Sequence, residues 1–545
     1  MKYLIIGGVA GGATTAARLR RNDETAEIIL FEKGKYVSYA NCGLPYYIGG
    51  TIQGRDDLFV QTPEGFKKRF NIDIRTEQEV ISINKEKKTI LINDHNGKEY
   101  NESYDKLVLS PGADPIRPDI EGINSKRIFT LRNVDDTDSI KQYAINNHPK
   151  KAIILGAGFI GVELCENLHE SGINVTIIDK TKQVLPTLDF SMASIVHNQL
   201  TDHGVELILN DSIKKIEDTG NEIIAHLESG KSISSDIMIL CLGVNPEIKL
   251  AKEAGLKIGE LGGIKVNKHM QTSDESIYAL GDAVEIIHGV TGKPALIPLA
   301  GPANKQGRIV ADNIVYGNKE SYNGTIGTTI AKVHDLTVAS AGTNAKTLIK
   351  ENIPYISSFT HSASHAGYYP GSIPLSIKII FCPTDGRLYG AQVVGETGVD
   401  KRIEMLAQVI QRKGTVYDLA SLEHAYAPPY SSAKDPVNIA GSVAENILTG
   451  KMKIINWKEI SSLPEDTILL DVRTPLEHNL GTIPGSVNIP LEILRERIDE
   501  LPKDKDIVIF CTIGMRGYIA YRLLFQKGFT RIRNLSGGYK TWNTI

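Results

Sequence analysis

The chain has 545 residues, which is enough for three or four domains that each bury a core. Its 61 basic and 64 acidic residues nearly balance, so we expect no nucleic-acid partner and no polybasic membrane surface. Five scattered cysteines make no disulfide framework and predict a reducing cytoplasmic location. The N-terminal apolar run is interpreted as a buried strand rather than a signal peptide, and no apolar stretch is long enough to span a bilayer.

A glycine-rich turn near the N-terminus predicts a dinucleotide site. The apolar strand 3–6 leads into Gly7–Gly12 and a small-residue helix, and the next strand, 28–32, ends in an acid. In this fingerprint a pyrophosphate approaches the helix N-terminus and the acid accepts a hydrogen bond from a ribose hydroxyl. Val9 replaces the middle glycine, which weakens the match. The predicted cofactor contacts are Gly7, Gly8, Ala10, Gly11, Gly12 and Glu32.

The helix after this turn carries Thr14, Arg18 and Arg21 on one stripe. A solvated basic face is the common interpretation of such arginines. An anionic substrate lying across the helix is the alternative, and the residues alone leave both open.

The segment Ser38–Tyr46 places Cys42 among small and polar residues, with Gly43 and Pro45 predicting a turn. No CxxC motif occurs, so Cys42 has no neighbouring cysteine with which to close a disulfide. Taken alone, the segment suits a cysteine buried in a loop. Together with the dinucleotide signals it predicts a redox-active thiolate beside a flavin, cycling through a sulfenic acid, a persulfide or a mixed disulfide with a small thiol.

A second, complete fingerprint follows the strand 152–155. All three glycines are present in Gly156–Gly161, and the next strand is followed by Asp179. Asp179 favours NADH because its charge would repel a 2′-phosphate, whereas Lys180 would soften that preference. The predicted coenzyme contacts are Gly156, Gly158, Ile160, Gly161, Glu163 and Asp179.

Further strand-turn segments mark where the chain leaves the first dinucleotide domain and returns to it. Strands are predicted to meet turns at 107–113, the first exit from this domain, at 236–246, and at 276–283, where the chain returns. A helix is predicted to start beneath the flavin ring at 299–307. Two fingerprints followed by a Gly281-Asp282 turn predict a flavoprotein that binds FAD and NAD(P)H, with Asp282 at the flavin ribitol. The remaining predicted cofactor contacts are Ser110, Gly112, Gly243, Gly281, Asp282, Pro298, Ala303 and Lys434.

The C-terminal third predicts two further units. From about Thr329 the pattern is mixed α+β and holds two aromatic clusters, His365–Pro370 and Tyr426–Lys434, neither of which resembles a metal site. A new unit begins near Lys451, and in it a strand leads into Cys511–Arg516 and a helix. The helix dipole and Arg516 are both expected to lower the pKa of the Cys511 thiol and to hold an anion.

These motifs together resemble a known family. The first 450 residues are similar to coenzyme A disulfide reductases of the flavin disulfide reductase superfamily, and the last 95 resemble a rhodanese domain. The segments that carry the resemblance are Gly7–Gly12, Ser38–Tyr46, Gly156–Gly161, Gly281-Asp282 and Tyr426–Lys434, then Asp471–Arg473, Cys511–Arg516 and Leu535–Tyr539.

The resemblance implies roles for the substrate-side residues. Cys42 would be the redox nucleophile, Ser38 and Asn41 would flank the bound thiol, and Cys511, with Arg516, would carry sulfane sulfur as a persulfide. The residues implied to hold coenzyme A phosphates are Thr14, Arg18 and Arg21, and those implied to reach the partner subunit's Cys42 in a homodimer are Tyr368 and Tyr426, with Tyr369 as the fallback for the first.

One departure separates this chain from related peroxide- and oxygen-reducing enzymes. Those enzymes carry a histidine in the first glycine turn, where this chain has Ala10. Peroxidase and oxidase activities are therefore disfavoured.

The expected fold is α/β, with two Rossmann-like dinucleotide-binding domains, an α+β dimerisation domain and a C-terminal rhodanese-like α/β domain. The expected boundaries are 1–113 and 248–328 for FAD, 114–247 for NAD(P)H, 329–446 for dimerisation and 452–545 for the rhodanese domain. The expected activity is reduction of coenzyme A disulfide, or of its persulfide or polysulfide, by NAD(P)H, with NADH favoured. Two alternatives stay open: a polysulfide or persulfide reductase with no disulfide role, and a redox-sensing binding protein.

Overall fold

A computed structural model describes the whole chain, residues 1–545. It divides into two compact units: unit 1 contains Met1–Val184 and Gly204–Gly327, and unit 2 contains Leu185–His203 and Thr328–Ile545. No helix is both long enough and apolar enough to cross a lipid bilayer. All five cysteines are unpaired.

Unit 1 contains two five-stranded parallel sheets of Rossmann type. Their central strands, Lys2–Ile6 and Lys151–Leu155, are almost fully buried apolar runs, as parallel sheets covered on both faces require. In spatial order, the first sheet has strands Ile277–Ala279, Lys106–Leu109, Lys2–Ile6, Glu27–Glu32 and Asp73–Thr76. The second has Glu206–Leu209, Asn174–Asp179, Lys151–Leu155, Ile237–Leu240 and Ile128–Thr130.

Smaller strands and seven α-helices complete unit 1. Two three-stranded antiparallel sheets hold Gln78–Asn84, Thr89–Asp94 and Glu99–Ser103, and Ile213–Asp218, Ile223–Leu227 and Ser232–Ser235. Among the short strands, Ala113–Pro115 pairs with Val244–Pro246, and Val284–Ile287 pairs with both Ile264–Lys265 and Pro294–Ala295. The α-helices are Ala10–Asn22, Leu44–Ile48, Pro63–Phe70, Val134–Asn147, Phe159–Glu170, Lys249–Glu253 and Ala300–Tyr316, and the 3₁₀ helices are Asn41–Gly43, Arg55–Leu58 and Gly281–Ala283.

Unit 2 contains an antiparallel sheet and a parallel sheet. In spatial order, the antiparallel sheet has Thr329–Val333, Leu336–Gly342, Leu388–Gly395, Pro374–Phe381 and Ile356–Ala363. Its accompanying helices are Phe190–Asp202, Ala345–Lys350, Val399–Gln411, Val416–Ser421 and Pro436–Leu448.

The C-terminal part of unit 2 forms the parallel sheet. In spatial order its strands are Ile454–Ile455, Ile532–Leu535, Ile507–Phe510, Ile468–Asp471 and Val487–Asn488. The helices around it are Pro475–Asn479, Met515–Gln526 and Gly538–Asn543, with 3₁₀ turns at Trp457–Ser462 and Ile498–Glu500. The predicted fold class is thus confirmed, with two Rossmann-like sheets, a mixed α+β part and a C-terminal α/β part.

A buried ion pair holds together the two loops that carry the aromatic clusters. Arg402 donates to Asp435 at 2.8 Å and to the Ser364 carbonyl at 2.9 Å, and both charged side chains are almost completely buried. Asp435 also accepts from the Ser431 hydroxyl and caps the helix Pro436–Leu448 through the Val437 N–H. The pKa of the Asp435 carboxyl is lowered, since these hydrogen bonds and the Arg402 charge outweigh the opposing effect of burial.

Replacing Asp435 by Asn should lower the free energy of unfolding of unit 2 by about 3 kcal/mol, because the Arg402 charge would remain buried without its counter-charge. Because Asn keeps an oxygen that can cap the helix, the loss of stability measures the effect of breaking the ion pair rather than the effect of losing the cap. Urea denaturation of the full chain measures it. Asp400→Asn, at an exposed position in the same unit, is the matched control and should change stability by less than about 0.5 kcal/mol. Equal stabilities of the two variants would contradict this role.

Candidate active site

The first glycine turn has the geometry of a phosphate site. Gly7 has φ of +97°, and a Cβ there would collide with the Ser110 carbonyl, so only glycine fits. No side chain caps the helix that starts at Ala10, which leaves its first N–H groups available to an anion. Glu32 accepts from the N–H groups of Gly8 and Gly34, both at 2.8 Å, and so fixes the turn to the end of its strand.

The second turn repeats this arrangement. Gly156 has φ of +108° and packs against the Cys241 carbonyl, where a Cβ would collide. Asp179 accepts from the Ala157 N–H at 2.7 Å and from the N–H and hydroxyl of Thr181. The helix Phe159–Glu170 begins after Gly158 and has no side-chain cap. A Cβ added to Gly158 would contact no residue other than its chain neighbours within 4 Å. Both turns therefore fit a dinucleotide pyrophosphate.

The remaining predicted cofactor residues of unit 1 lie at turns and at a helix start. Gly281 and Asp282 form a 3₁₀ turn, where the Gly281 N–H donates to Gln306 at 2.8 Å. Burial raises the pKa of Asp282. Ser110 is bonded to Ile6 through its N–H, Gly112 and Gly243 both have positive φ, and Ala303 is buried at the start of the helix Ala300–Tyr316, just after Pro298.

The basic stripe on the first helix is only partly solvated. Arg18 forms two hydrogen bonds with Asp312, at 2.8 and 3.2 Å, and Thr14 donates to Asn304, so both face the helix Ala300–Tyr316. Arg21 is exposed. Of these three residues, Arg21 is thus the one whose charge is most accessible to a ligand.

Cys42 lies in a 3₁₀ turn, Asn41–Gly43, that runs directly into the helix Leu44–Ile48. The sequence predicted an open turn here; instead Pro45 occupies the first turn of a helix, where its missing N–H costs nothing. The Cys42 residue is exposed on one side. Protein on its other sides still raises the pKa of the thiol through desolvation, and the charges of Glu163 and Asp282 raise it further. The thiolate therefore depends on stabilisation beyond these neighbours.

The residues predicted to flank the thiol hold the Cys42 segment in place. Ser38 has φ of +49°, an unusual conformation for serine, and its backbone bonds to Gly8 and Val60. The Asn41 amide, oriented to satisfy its hydrogen bonds, donates to the Arg132 carbonyl at 2.9 Å and accepts from the Arg132 guanidinium at 3.2 Å. The Arg132 charge opposes the rise in the pKa of Asp282, but burial has the larger effect, so the pKa stays raised.

Glu163 projects from the second dinucleotide helix toward the Cys42 segment. Tyr46 donates to its carboxylate at 3.4 Å. Burial raises the pKa of Glu163 to about 7, and the charge of Glu166 adds to the shift. This carboxyl therefore changes charge near neutral pH beside Cys42.

In unit 2, Tyr368 and Tyr426 come together although they are 58 residues apart. Their hydroxyls lie 2.6 Å from each other, and the two residues are 77% and 47% exposed. The hydrogen bond to Tyr426 raises the pKa of Tyr368. Tyr369 packs against the His365 ring instead and lies outside this pair.

The Cys511 loop differs from its expected electrostatics. Cys511 is 1% exposed, and its sulfur accepts from the Gly514 N–H at 3.1 Å. The Arg516 guanidinium is not free to bind an anion by itself, because it forms two hydrogen bonds with the Glu477 carboxylate. Lys434 lines a cavity of about 300 Å³ that also contacts Ile513 to Met515 of this loop.

Three residues of these sites were missed by the sequence analysis. Arg132 lies in no motif, and Tyr46 was named only as the end of the Ser38–Tyr46 segment, so only the fold reveals their contacts with Asn41 and Glu163. Glu477 had a readable signal, since Thr474 and Glu477 form a capping box.

Changing Glu163 to Gln should stabilise the cofactor-free protein in a pH-dependent way. The folded carboxyl has a pKa near 7 and the unfolded one near 4.5, so the native state is penalised as the group ionises. The gain in the free energy of unfolding should be small at pH 5, should rise between pH 5 and 7, and should level off at up to about 3 kcal/mol by pH 8. Urea denaturation at several pH values measures it. A gain independent of pH would show that Glu163 is not desolvated.

Comparison with protein-family models assigns three regions. Residues 1–307 match the pyridine nucleotide-disulphide oxidoreductase family, residues 328–436 match its dimerisation domain, and residues 456–545 match the rhodanese-like domain. The first match alone covers more than half of the chain.

Individual proteins are similar over long stretches. The coenzyme A disulfide reductase of Staphylococcus haemolyticus is 36% identical over 82% of this chain and all of its own length, and an NADH oxidase of Methanocaldococcus jannaschii is 37% identical over 83% of this chain and all of its own.

Two solved structures extend the similarity to the C-terminus. The structure of reduced Bacillus anthracis CoADR-RHD has 52% identity and a TM-score of 0.98, covering 100% of this chain and 98% of that one. The NAD-dependent persulfide reductase from A. fulgidus has 40% identity and a TM-score of 0.94, covering 99% and 100%. The chain therefore belongs to the pyridine nucleotide-disulphide oxidoreductase family and carries a C-terminal rhodanese-like domain.

Proposed function

We propose that this protein is an FAD-dependent reductase that uses NADH to reduce coenzyme A disulfide or coenzyme A persulfide through Cys42. The observation that carries the proposal is a single exposed cysteine in the unit that holds both dinucleotide turns, with no second cysteine in its motif. The coenzyme A disulfide reductase and persulfide reductase relatives support this substrate class. Bound FAD would supply the electron path between the nicotinamide and the sulfur.

The chain's own residues divide the work of binding and proton transfer. Cys42 holds one sulfur of the substrate as a mixed disulfide, and Asn41, fixed by Arg132, borders the bound thiol. The exposed Arg21 offers its charge to the coenzyme A phosphates, with Thr14 and Arg18 beside it. The Glu163 carboxyl, with a pKa of about 7, takes up or releases a proton when the charge on the Cys42 sulfur changes.

The tyrosine pair is assigned to a homodimer. Tyr368 and Tyr426 expose hydrogen-bonded hydroxyls that suit proton delivery to a leaving thiolate. We assign them to the partner subunit's Cys42, as the match to a dimerisation domain supports. Lys434 stays a predicted cofactor contact, supported by the family resemblance of the Tyr426–Lys434 cluster alone. Five unpaired cysteines favour a reducing cytoplasm.

Persulfide or polysulfide reduction is the second candidate. It is favoured by Cys511, which lies ahead of a helix N-terminus and accepts a backbone hydrogen bond, as a sulfur carrier requires. The same Cys42 chemistry would then release sulfide from a persulfide instead of a thiol from a disulfide. A pure redox-sensing role has less support, because a protein that only senses would not need two separate dinucleotide turns. Rates with coenzyme A disulfide, its persulfide and polysulfide separate the candidates.

Changing Cys42 to Ser should leave FAD bound and lower NADH-dependent reduction of coenzyme A disulfide by at least about a thousandfold, because serine cannot form the mixed disulfide. Flavin absorbance and steady-state rates measure both properties. Cys382→Ser is the matched control, since serine can keep the hydrogen bond to Thr384 and Cys382 lies outside the site. Cys42→Ser activity above one tenth of the wild-type rate would overturn the assignment.

Asp179 should make NADH the better donor by kcat/KM, since a carboxylate next to the ribose repels a 2′-phosphate. Asp179→Asn removes the charge but keeps an oxygen for the Ala157 N–H. We expect this variant to narrow the NADH preference by about tenfold, mainly by improving KM for NADPH. A wild-type preference for NADPH would show that the acid does not set coenzyme choice.

A further inference from the structure

The single arginine of the Cys511 loop has a fixed counter-charge. Arg516 donates to both carboxylate oxygens of Glu477, and the Thr512 hydroxyl donates to the same carboxylate at 2.8 Å. The Arg516 guanidinium holds the pKa of Glu477 far below its usual range, so the carboxylate is charged at every physiological pH.

Glu477 is held in this position from its own helix as well. Its carboxylate accepts from the N–H and the hydroxyl of Thr474, at 3.0 and 2.9 Å, completing the capping box of the helix Pro475–Asn479. The carboxylate is thus anchored between the helix and the loop, and the loop presents an ion pair where a lone guanidinium would otherwise attract anions.

The surroundings of the loop are largely apolar, although Lys434 contributes one cation to the wall of the adjoining cavity. Exposed hydrophobic side chains come from the loop and from the helix that carries Glu477: Leu476 is 70% exposed, Leu480 82%, Ile513 39% and Met515 64%. Ile513, Gly514 and Met515 also form one wall of the cavity of about 300 Å³, whose other walls include Ile439 and Val443. An uncharged carbon chain therefore finds apolar contacts next to the loop.

From this geometry we infer that Glu477 determines which sulfur donors load Cys511. By neutralising Arg516, it selects persulfides whose sulfur is attached to an uncharged carbon chain and disfavours small oxyanion donors such as thiosulfate. The inference rests on the proposed role of Cys511 as a sulfur carrier.

The two donors make different demands on the loop. With an alkyl persulfide, R–S–SH, the Cys511 thiolate attacks the terminal sulfur; a new S–S bond forms, the donor S–S bond breaks and its electron pair leaves on R–S⁻, which gives Cys511–S–SH. With thiosulfate the same attack expels sulfite, a dianion. A free guanidinium would stabilise that leaving group, whereas a guanidinium paired with Glu477 has its charge cancelled.

The test measures loading of Cys511 in the full-length holoenzyme, carrying Cys42→Ser so that the reductase site does not consume the persulfide. The donors are thiosulfate and the persulfide of 2-mercaptoethanol, and site-resolved mass spectrometry after alkylation gives the rates. Glu477→Gln should raise the thiosulfate rate at least tenfold and change the rate with the 2-mercaptoethanol persulfide less than threefold. The double variant Glu477→Gln/Arg516→Met should return the thiosulfate rate to near the starting level, because it lacks both charges.

Several outcomes would decide against the inference. An unchanged ratio of the two rates in Glu477→Gln would overturn it, as would equal thiosulfate rates in the single and double variants. Failure of both donors to load Cys511 would instead remove the proposed carrier role. If Glu477→Gln does not fold, sulfate provides the readout at constant ionic strength. Loading by the 2-mercaptoethanol persulfide should be insensitive to sulfate when Glu477 is present, and competitive inhibition by sulfate would overturn the inference.

Discussion

The chemistry proposed for this chain depends on one constraint at Cys42, which has no second cysteine in its motif. A dithiol can store two electrons within the protein, whereas a lone thiol needs a sulfur from a small molecule to complete its cycle. The substrate thiol therefore becomes part of the active site, and the site must bind it, orient it and protonate its partner. In the proposed function, the exposed position of Cys42, the basic stripe on the helix Ala10–Asn22 and the tyrosine pair would each answer one of these needs.

Buried charges determine where the reactive side chains lie. Arg402 and Asp435 tie together the segments around Ser364 and Ser431, which flank the two tyrosines. Such a pair contributes little net stability, but removal of one partner leaves a charge without compensation. Around Cys42 the opposite arrangement holds, since Glu163 and Asp282 are desolvated carboxyls that disfavour a second negative charge. The pKa of the Cys42 thiol therefore depends on the charge of any group that binds beside it.

The dinucleotide turns could be predicted from the sequence because their physics is local. An apolar run, a glycine that must take positive φ and an acid at the next strand end lie within a short stretch, and the strand Lys2–Ile6 was predicted to within one residue. Arg132 and Tyr46 could not be predicted, because their partners Asn41 and Glu163 are 91 and 117 residues away. The same holds for the charge of the Cys511 loop: Arg516 was visible in its motif, but its neutralisation by Glu477 depends on how a preceding helix packs.

The central claim is that Cys42 works through a mixed disulfide with coenzyme A, and mass spectrometry of the intact Cys42 peptide from oxidised, non-reduced protein tests it most directly. We predict a coenzyme A adduct on Cys42 that is released by one equivalent of NADH, with Cys165, Cys241 and Cys382 unmodified. Cys42 found without any thiol adduct after incubation with coenzyme A disulfide, or carrying only a sulfenic acid that NADH reduces, would contradict the claim.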